Sequence, residues 1–254
     1  MNLEFELQPS VTEIKNALQP LNIKIATIQP AGEKDVLIRM GTISNEQRIE
    51  ILDTLKTKYG RVEEKSFESV GPTVGAELRR KAIIAISLVF IFIILYITYA
   101  FRKVSKEISA WKMGVCTFLA LIHDLLVVIG IFSILGKFKN VEVNSLFITA
   151  LLTVLGYSVH DTIVVFDRIR YNLLKNSSLP FEQNVNNAVN QTMTRSINTT
   201  STTLLVLFSL YFFGGESIKW FVVALIIGLI SGTYSSIFIA SPLLCDWQKR
   251  SKSH

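Results

Sequence analysis

Asp161 is the first candidate for chemistry, because it is an acid inside a long apolar segment of the chain. An ionisable side chain there is costly unless it has a partner or water, and such residues often mark proton or ion paths. Tyr157 and Ser158 lie about one helical turn before Asp161, so we expect them to hydrogen-bond it. Arg168 extends the same helix face in the direction of the next loop.

Arg195 is the predicted partner of Asp161. It begins a segment whose first half is polar, and Asn198, Thr199 and Thr202 follow it on one helix face. We therefore expect a carboxylate on one helix to face a guanidinium on another. Protonation of an acid depends on the charge beside it, so this pair suits proton coupling. The alternative is a static polar clamp that packs the helices and moves no protons.

His123 and Asp124 form a second candidate for proton coupling, in an earlier apolar segment. Adjacent residues on a helix point about 100° apart, so the two side chains cannot both face one partner. A buried hydrogen-bonded pair is therefore the alternative to a proton relay. His160 neighbours Asp161 but points elsewhere, which favours a structural role for it.

Gly228 and Gly232 form a stripe of small residues, with Ser231, Ser235 and Ser236 nearby. Small residues let another helix approach closely. We expect this stripe to serve helix packing, and it is one candidate for the face that binds a partner chain.

The composition predicts that these residues lie in a membrane protein. The chain has 254 residues, of which 50% are hydrophobic and 18% are charged, against about 25% charged in soluble proteins. Five apolar blocks are long enough to cross about 30 Å of hydrocarbon; they cover residues 82–101, 113–135, 143–166, 197–213 and 219–244. We predict a helical membrane domain over residues 75–246 and a basic tail over 247–254. The net charge of +6 fits basic loops at a lipid bilayer rather than nucleic-acid binding.

Residues 1–74 predict a small α+β domain in front of the membrane helices. Period-2 alternation and turn residues indicate strands over residues 2–7, 23–28, 35–40 and 62–70. Helices are predicted over 11–19 and 44–60, the second with a capping box of Ser44 and Gln47. The order βαββαβ indicates a ferredoxin-like fold, which by itself carries no function.

The positive-inside rule predicts how the chain crosses the membrane. Basic residues cluster after the first, third and fifth blocks: Arg102, Lys103, Lys106, Lys112, Arg168, Arg170, Lys175, Arg195, Lys249, Arg250 and Lys252. These segments should be cytoplasmic, although Arg79, Arg80 and Lys81 argue the other way. We therefore expect an extracytoplasmic N-terminal domain and a cytoplasmic C-terminus, with outer loops at 136–142 and 214–218.

The sequence predicts neither an enzyme nor a bound cofactor. It contains no metal-ligand cluster, Walker-type phosphate loop or nucleophile elbow. Any energy that the protein uses should therefore come from an ion gradient or from a partner. Cys116 and Cys245 both lie near block ends on the predicted cytoplasmic side, so we expect no disulfide.

Four segments of the chain resemble the SecF signature of the SecD/SecF protein-export family. The most specific is GYSVHDTIVVFDRIR at residues 156–170, and LIHD at 121–124 resembles the family's histidine-aspartate pair. TRSINTT at 194–200 resembles its arginine segment. GTYSS at 232–236 with Ala240-Ser241-Pro242 resembles its final helix. The four segments occur in the family's order between about residues 70 and 245, whereas the N-terminal domain agrees only in pattern.

This resemblance implies a subunit related to the RND superfamily, with an RND-like helix bundle in a bacterial inner membrane. It implies a SecD partner beside the SecYEG channel, an unfolded polypeptide as the transported substrate, and use of the proton motive force. It also implies that Asp161 and Arg195 are the residues tied to proton passage.

The start of the chain departs from the family's pattern. A further membrane helix and a Gly-x-Asp-Phe-x-Gly-Gly run normally precede the strand that residues 3–7 resemble, and neither is present. We expect a truncated start. The alternatives are a missing piece supplied by another chain and a five-helix variant.

Two other functions fit the same features. An RND-like exporter of small molecules or lipids would share the helix bundle and a proton-coupled carboxylate, but it usually needs a longer chain with two helix repeats. A structural partner would use Asp161 and Arg195 only to hold helices together. An adjacent reading frame for a SecD-like protein would favour export, and one for a membrane-fusion protein would favour efflux.

Overall fold

The computed structural model divides the chain into two compact units, Met1–Arg80 and Lys81–His254. It describes residues 1–23, 25–32, 34–41, 43–67, 72–102, 109–139, 141, 143–175 and 178–252. Lys103 and Lys106 of the predicted cytoplasmic loop, and positions 68–70 of the predicted last strand, lie outside the described residues.

The first unit contains a four-stranded antiparallel sheet. Its elements are β1 (Asn2–Phe5), α1 (Val11–Leu18), β2 (Ile25–Pro30), β3 (Asp35–Met40), α2 (Asn45–Tyr59) and β4 (Val62–Ser66). The strand order is β2-β3-β1-β4, and every neighbouring pair is antiparallel. This order, with both helices connecting strands that are not neighbours, confirms the predicted ferredoxin-like fold.

The alternation of β1 explains where the sheet meets its core. Leu3 and Phe5 are buried at 0% and 1% exposure, and they pack against Ile14 of α1 and Ile51 of α2. Leu7, the last residue of the predicted strand, is 86% exposed. The strand therefore ends before Leu7, so the predicted range of 2–7 was too long.

Capping boxes begin both helices of this unit. The Ser44 hydroxyl accepts the Gln47 amide N–H, and the Gln47 side chain accepts the Ser44 amide N–H. Ser10 and Glu13 make the same reciprocal pair at the start of α1. Each box satisfies two amide groups that have no partner within the helix.

The second unit is a helix bundle, to which α3 belongs from Lys81 onward. Its helices are α3 (Pro72–Ala100), α4 (Ala110–Lys139), α5 (Ser145–Lys175), α6 (Phe181–Phe213), α7 (Lys219–Ser235) and α8 (Ser241–Lys252). A π-helical segment, Ser236–Ala240, joins α7 to α8. Among the described residues, five helical segments are long and apolar enough to cross a membrane, because α7, the π segment and α8 form one of them. The predicted number of membrane helices is confirmed.

The membrane helices extend beyond the predicted apolar blocks, and α5 and α6 are examples. α5 continues beyond residue 166 to Lys175, and α6 begins at Phe181 instead of residue 197. The added turns are polar, and they bind each other: Gln191 of α6 accepts hydrogen bonds from Arg168 at 2.6 Å and Asn172 at 3.1 Å. Polar contact between the two helices thus stabilises turns that hydropathy alone does not predict.

The π segment lies where the last span approaches Pro242. Proline has no amide hydrogen, so it cannot complete the α-helical bonding pattern. The Ser241 hydroxyl donates to the Ser236 carbonyl at 3.0 Å across this wider turn. A π turn accommodates the proline without ending the span.

The helix α5 lies at the centre of the bundle, in contact with α4, α6 and α7. Its buried side chains run along the full length from Phe147 to Leu173. By contrast, only 6% of the most apolar stretch of α3 is buried. The site residues on α5 are therefore held from three sides.

Candidate functional site

Asp161 lies on the buried face of α5, where its side chain meets α6. The residue is 4% exposed, and its Oδ1 accepts a hydrogen bond from Ser196 Oγ at 3.3 Å. Its Oδ2 is buried and has no hydrogen-bond partner among the described residues. A buried carboxylate oxygen without a donor is costly. Such an atom can be satisfied by taking up a proton or by binding water.

A hydrogen-bonded pair of threonine hydroxyls, one from α6 and one from α7, lies near Asp161. The Thr233 hydroxyl of α7 lies close to the carboxylate, but it donates its hydrogen to the Leu229 carbonyl at 3.1 Å. Thr233 Oγ1 is also 2.6 Å from Thr200 Oγ1 of α6, so the two hydroxyls link α6 to α7. The carboxylate therefore sits at the junction of three helices.

The predicted ion pair between Asp161 and Arg195 is not present among the residues that the structure describes. Arg195 is exposed, and the adjacent Ser196 is the residue that contacts the carboxylate. Neighbouring positions on a helix point about 100° apart, so only one of the two can face α5. The proton-coupling role of both residues stays a prediction.

The inward face of α6 consists of small hydroxyl residues four positions apart. Thr192, Ser196 and Thr200 are buried at 6%, 1% and 7% exposure. The face that carries Arg195, Asn198, Thr199 and Thr202 was expected to meet Asp161, but all four residues are exposed, so this expectation was wrong. The spacing of the three buried residues was the signal that could have identified the correct face.

The outward face of α6 is polar, which is unusual for a membrane helix. Arg195, Asn198, Thr199 and Thr202 project from it. Three threonine hydroxyls on this stretch, those of Thr199, Thr202 and Thr203, donate to carbonyls of their own helix. An arginine and an amide on a face toward lipid remain costly, so this face requires water or another protein chain.

Asp124 on α4 has a different environment, in which both carboxylate oxygens accept hydrogen bonds. It is 0% exposed. Ser158 donates to its Oδ2 at 2.5 Å and Ser235 to the same oxygen at 2.7 Å, while Ser231 donates to Oδ1 at 2.8 Å. His123 Nδ1 lies 3.1 Å from Oδ1. The carboxylate thus joins α4 to α5 and α7.

The positions of Ser158 and Tyr157 contradict the expectation that both side chains hydrogen-bond Asp161. Ser158 does not hydrogen-bond Asp161, because its hydroxyl is directed to Asp124. Tyr157 instead packs beside the cluster of Leu207, Val222 and Leu229. The contact between His123 and Asp124 agrees with the hydrogen-bonded pair that was the alternative to a proton relay.

Gly228 and Gly232 lie at the closest approach of α7 to α5. A Cβ at Gly228 would lie 2.1 Å from Val154 Cγ2, and one at Gly232 would lie 2.9 Å from Ser158 Cβ. This contact brings Ser231 and Ser235 to Asp124. The stripe is therefore used within the chain, and the expectation that it could bind a partner chain was wrong.

These observations define a polytopic membrane protein with a ferredoxin-like domain and two buried intramembrane carboxylates. The family model described as "Protein export membrane protein SecD/SecF, C-terminal" matches residues 50–250. Protein translocase subunit SecF of Thermobaculum terrenum is 45% identical over 98% of this chain and 81% of its own length. The corresponding subunit of Anaerolinea thermophila is 40% identical over 94% of this chain and 78% of its own.

A solved structure shows the same fold in a relative. The crystal structure of SecDF from Thermus thermophilus, described as a translocon-associated membrane protein, is 36% identical with a TM-score of 0.78. The match covers 98% of this chain and 33% of the SecDF chain. This chain belongs to the SecD/SecF family of protein-export membrane proteins, a family of translocase subunits rather than of enzymes.

Proposed function

We propose that this chain acts as a SecF-type subunit that promotes protein export across a bacterial inner membrane. Its partners are a SecD subunit, the SecYEG channel and the unfolded polypeptide that crosses the channel, and its energy source is the proton motive force. Relatives named protein translocase subunit SecF and SecDF support the export role. The Thermus chain, whose name joins SecD and SecF, supports the SecD partner.

The unpartnered Oδ2 of Asp161 is the observation that carries the proton-coupled part of this proposal. Asp161 is the less satisfied of the two buried acids, because both oxygens of Asp124 already accept hydrogen bonds. A proton on Oδ2 removes the charge of Asp161 and turns this oxygen into a donor. Asp161 is therefore the group whose protonation changes its surroundings most.

The proton acts on α6 through Ser196. An ionised Asp161 accepts the Ser196 hydroxyl strongly, because hydrogen bonds to charged acceptors are about twice as strong as neutral ones. Protonation weakens this bond and loosens α6 against α5. Proton entry and release thus alternate two packings of α6, which is how an ion gradient can drive movement.

In this mechanism, Arg195 contacts the partner subunit and does not contact Asp161. Its exposed position on the polar face of α6 directs the guanidinium away from Asp161. We assign this face to contact with the SecD subunit, which supplies polar or acidic groups in place of lipid. Movement of α6 is then transmitted across the contact.

The proposed orientation puts the ferredoxin-like domain outside the cytoplasm and the end of α8 inside. Arg102, Lys112 and Lys249 are among the described basic residues that support it. In this orientation a proton from the outer side reaches Asp161 through the bundle, and the basic ends meet the cytoplasmic leaflet.

The test is export into membrane vesicles with and without an imposed proton gradient. Asp161→Asn keeps the shape and removes the titration, so the variant should insert and bind SecD but lose gradient-driven stimulation. Asp167→Asn is the matched control, because Asp167 is an acid on the same helix with a 66% exposed side chain. Equal stimulation in wild type and Asp161→Asn would contradict the proposal.

Arg195→Lys tests the proposed contact of α6 separately. Lysine keeps the charge but lacks the planar fork of arginine, so we expect partial loss of stimulation and of SecD recovery. Arg170→Lys, which changes a guanidinium on α5, should change neither. Full activity and full SecD recovery in Arg195→Lys would contradict a role of the guanidinium at the contact.

A further inference from the structure

A groove of about 640 Å³ lies between the start of α4 and the end of α8. One part of its lining is apolar and includes Leu119 and Leu243. The other part is polar and includes Asp246, Trp247 and Arg250. The groove therefore combines an apolar and a charged surface at the end of two membrane helices.

The residues of α8 are arranged in order of increasing polarity along one face. Leu243, Trp247 and Arg250 are spaced by four and three positions, which puts them on one side of the helix. The order from the bundle outward is aliphatic, aromatic, cationic. A phospholipid has the same order, from acyl chain through the glycerol interface to phosphate.

Contacts between α4 and α8 fix the walls of the groove. The Trp111 and Trp247 rings meet edge to face with centroids 5.1 Å apart. Lys112 Nζ donates to Gln248 Oε1 at 3.2 Å, and Gln248 is only 6% exposed. Tryptophans are enriched at the membrane–water interface. The polar end of the groove is therefore at the depth where lipid headgroups lie.

The apolar part of the groove opens toward the hydrocarbon. Leu119 is 42% exposed and Leu243 is 36% exposed, although both belong to membrane-spanning segments. An acyl chain can cover these two side chains while its headgroup stays at Arg250.

We propose that this groove binds one anionic phospholipid, with the phosphate at Arg250 and an acyl chain along Leu119 and Leu243. Basic pockets between membrane helices select anionic headgroups. Lys112 adds positive charge at the same end. The negative charge of Asp246 repels an anionic headgroup. The preference for an anionic lipid therefore depends on the positive charges of Arg250 and Lys112 together with the negative charge of Asp246.

The occupant can be tested by fluorescence quenching with brominated lipids. Replacing Trp220 with Phe leaves Trp111 and Trp247 as the reporting tryptophans, both at the groove. The protein is reconstituted in bilayers that contain brominated phosphatidylglycerol or brominated phosphatidylcholine. The ratio of quenching gives the relative affinity of the two headgroups, and we expect phosphatidylglycerol to bind about fivefold more strongly.

Three substitutions separate the groove from general surface charge. Arg250→Gln should abolish the preference for phosphatidylglycerol, so that the two lipids bind with an affinity ratio of about one. Asp246→Asn should increase the preference about fivefold further. Lys249→Gln removes the same charge one position away, from a residue that does not line the groove, and should leave the preference unchanged. Because the substitutions at Arg250 and Asp246 act in opposite directions, misfolding cannot produce the full pattern.

Two results would overturn the proposal. The first is equal quenching by both lipids in the protein with Phe at position 220. The second is an equal loss of preference in Arg250→Gln and Lys249→Gln, which would mean that only the surface charge attracts the lipid. Neither result depends on export activity, so the proposed function is tested independently.

Discussion

The two buried aspartates differ in how many hydrogen bonds their carboxylates receive. Three serine hydroxyls donate to Asp124, whereas Ser196 donates to Asp161 over a longer distance of 3.3 Å. A fully bonded carboxylate holds helices together, and an incompletely bonded one can respond to a proton. The same residue type thus suits two different tasks.

The first prediction is that Asp124→Ala destabilises the bundle more than Asp161→Ala. It removes the carboxylate acceptor of three buried hydroxyls, and each hydroxyl left unsatisfied costs about 1–3 kcal/mol. Ser235 keeps the Gly232 carbonyl at 3.2 Å as a second acceptor. The thermal unfolding midpoint of the purified protein in detergent should therefore fall strongly for Asp124→Ala and weakly for Asp161→Ala. Equal midpoints in the two variants would mean that the serine contacts do not stabilise the bundle.

At the scale of elements, the contact of α5 with α7 depends on the absence of a side chain at Gly228. Val154 fills the space where a Cβ would stand. Because the same contact brings two serines to Asp124, packing and hydrogen bonding are coupled there.

The second prediction concerns this contact. Gly228→Ala should destabilise the bundle by about 1–3 kcal/mol through overpacking. Gly156→Ala on α5 should be neutral or stabilising, since an added Cβ there would meet no atom within 4 Å beyond the adjacent backbone of its own helix. A double-mutant cycle of Gly228→Ala with Val154→Ala should give a combined loss below the sum of the single losses. If the two losses of stability are additive, the destabilisation by Gly228→Ala does not come from contact with Val154.

The third prediction is a pH dependence at the start of α1. The pKa of Glu13 is lowered from its ordinary value of 4.5, first because the Ser10 amide N–H donates to its carboxylate and also because of the Ser10 hydroxyl. A lowered pKa contributes stability that is present above 4.5 and is lost as the pH falls through the folded-state value. Hydrogen exchange of the Ser10 amide, corrected for its intrinsic rate, should therefore be faster at pH 3 than at pH 6.

The capping box of α2 is an internal control for this prediction. Gln47 accepts the Ser44 amide N–H at 3.0 Å but does not titrate. The corrected exchange of the Ser44 amide should change little over the same range, and Glu13→Gln should give α1 the same behaviour. A pH dependence that survives in Glu13→Gln would have another source.

At the scale of the whole molecule, the chain consists of two units that each have their own hydrophobic core. The core of the first unit lies between its sheet and its two helices, and the second has clusters of buried residues along its membrane helices. Each unit is therefore expected to keep its fold when surface residues of the other are labelled.

The fourth prediction is the topology of the chain in the membrane. After replacement of Cys116 and Cys245 by Ala, a membrane-impermeant thiol reagent added outside should label a cysteine at position 34 and not one at position 252. Permeabilised cells should label both positions, which controls for reactivity. The reverse pattern would contradict the proposed orientation and the outer position of the ferredoxin-like domain.

The sequence by itself determined the classes of structure in this protein. Apolar length predicts each membrane helix, and period-2 alternation with turn residues predicts the order of the ferredoxin-like domain. Both follow from local rules of burial and backbone geometry. The signature around Asp161 also identified the family, because its residue types are specific and lie in a fixed order.

Only the tertiary structure decided which side chains meet. The sequence restricts Ser158 and Ser196 to helix faces, but the rotation and depth of each helix are set by packing against all the others. The approach of α7 at Gly228 and Gly232 brings serines to Asp124, and the rotation of α6 directs Ser196 inward and Arg195 outward. These contacts join residues far apart in the chain, so no local pattern contains them.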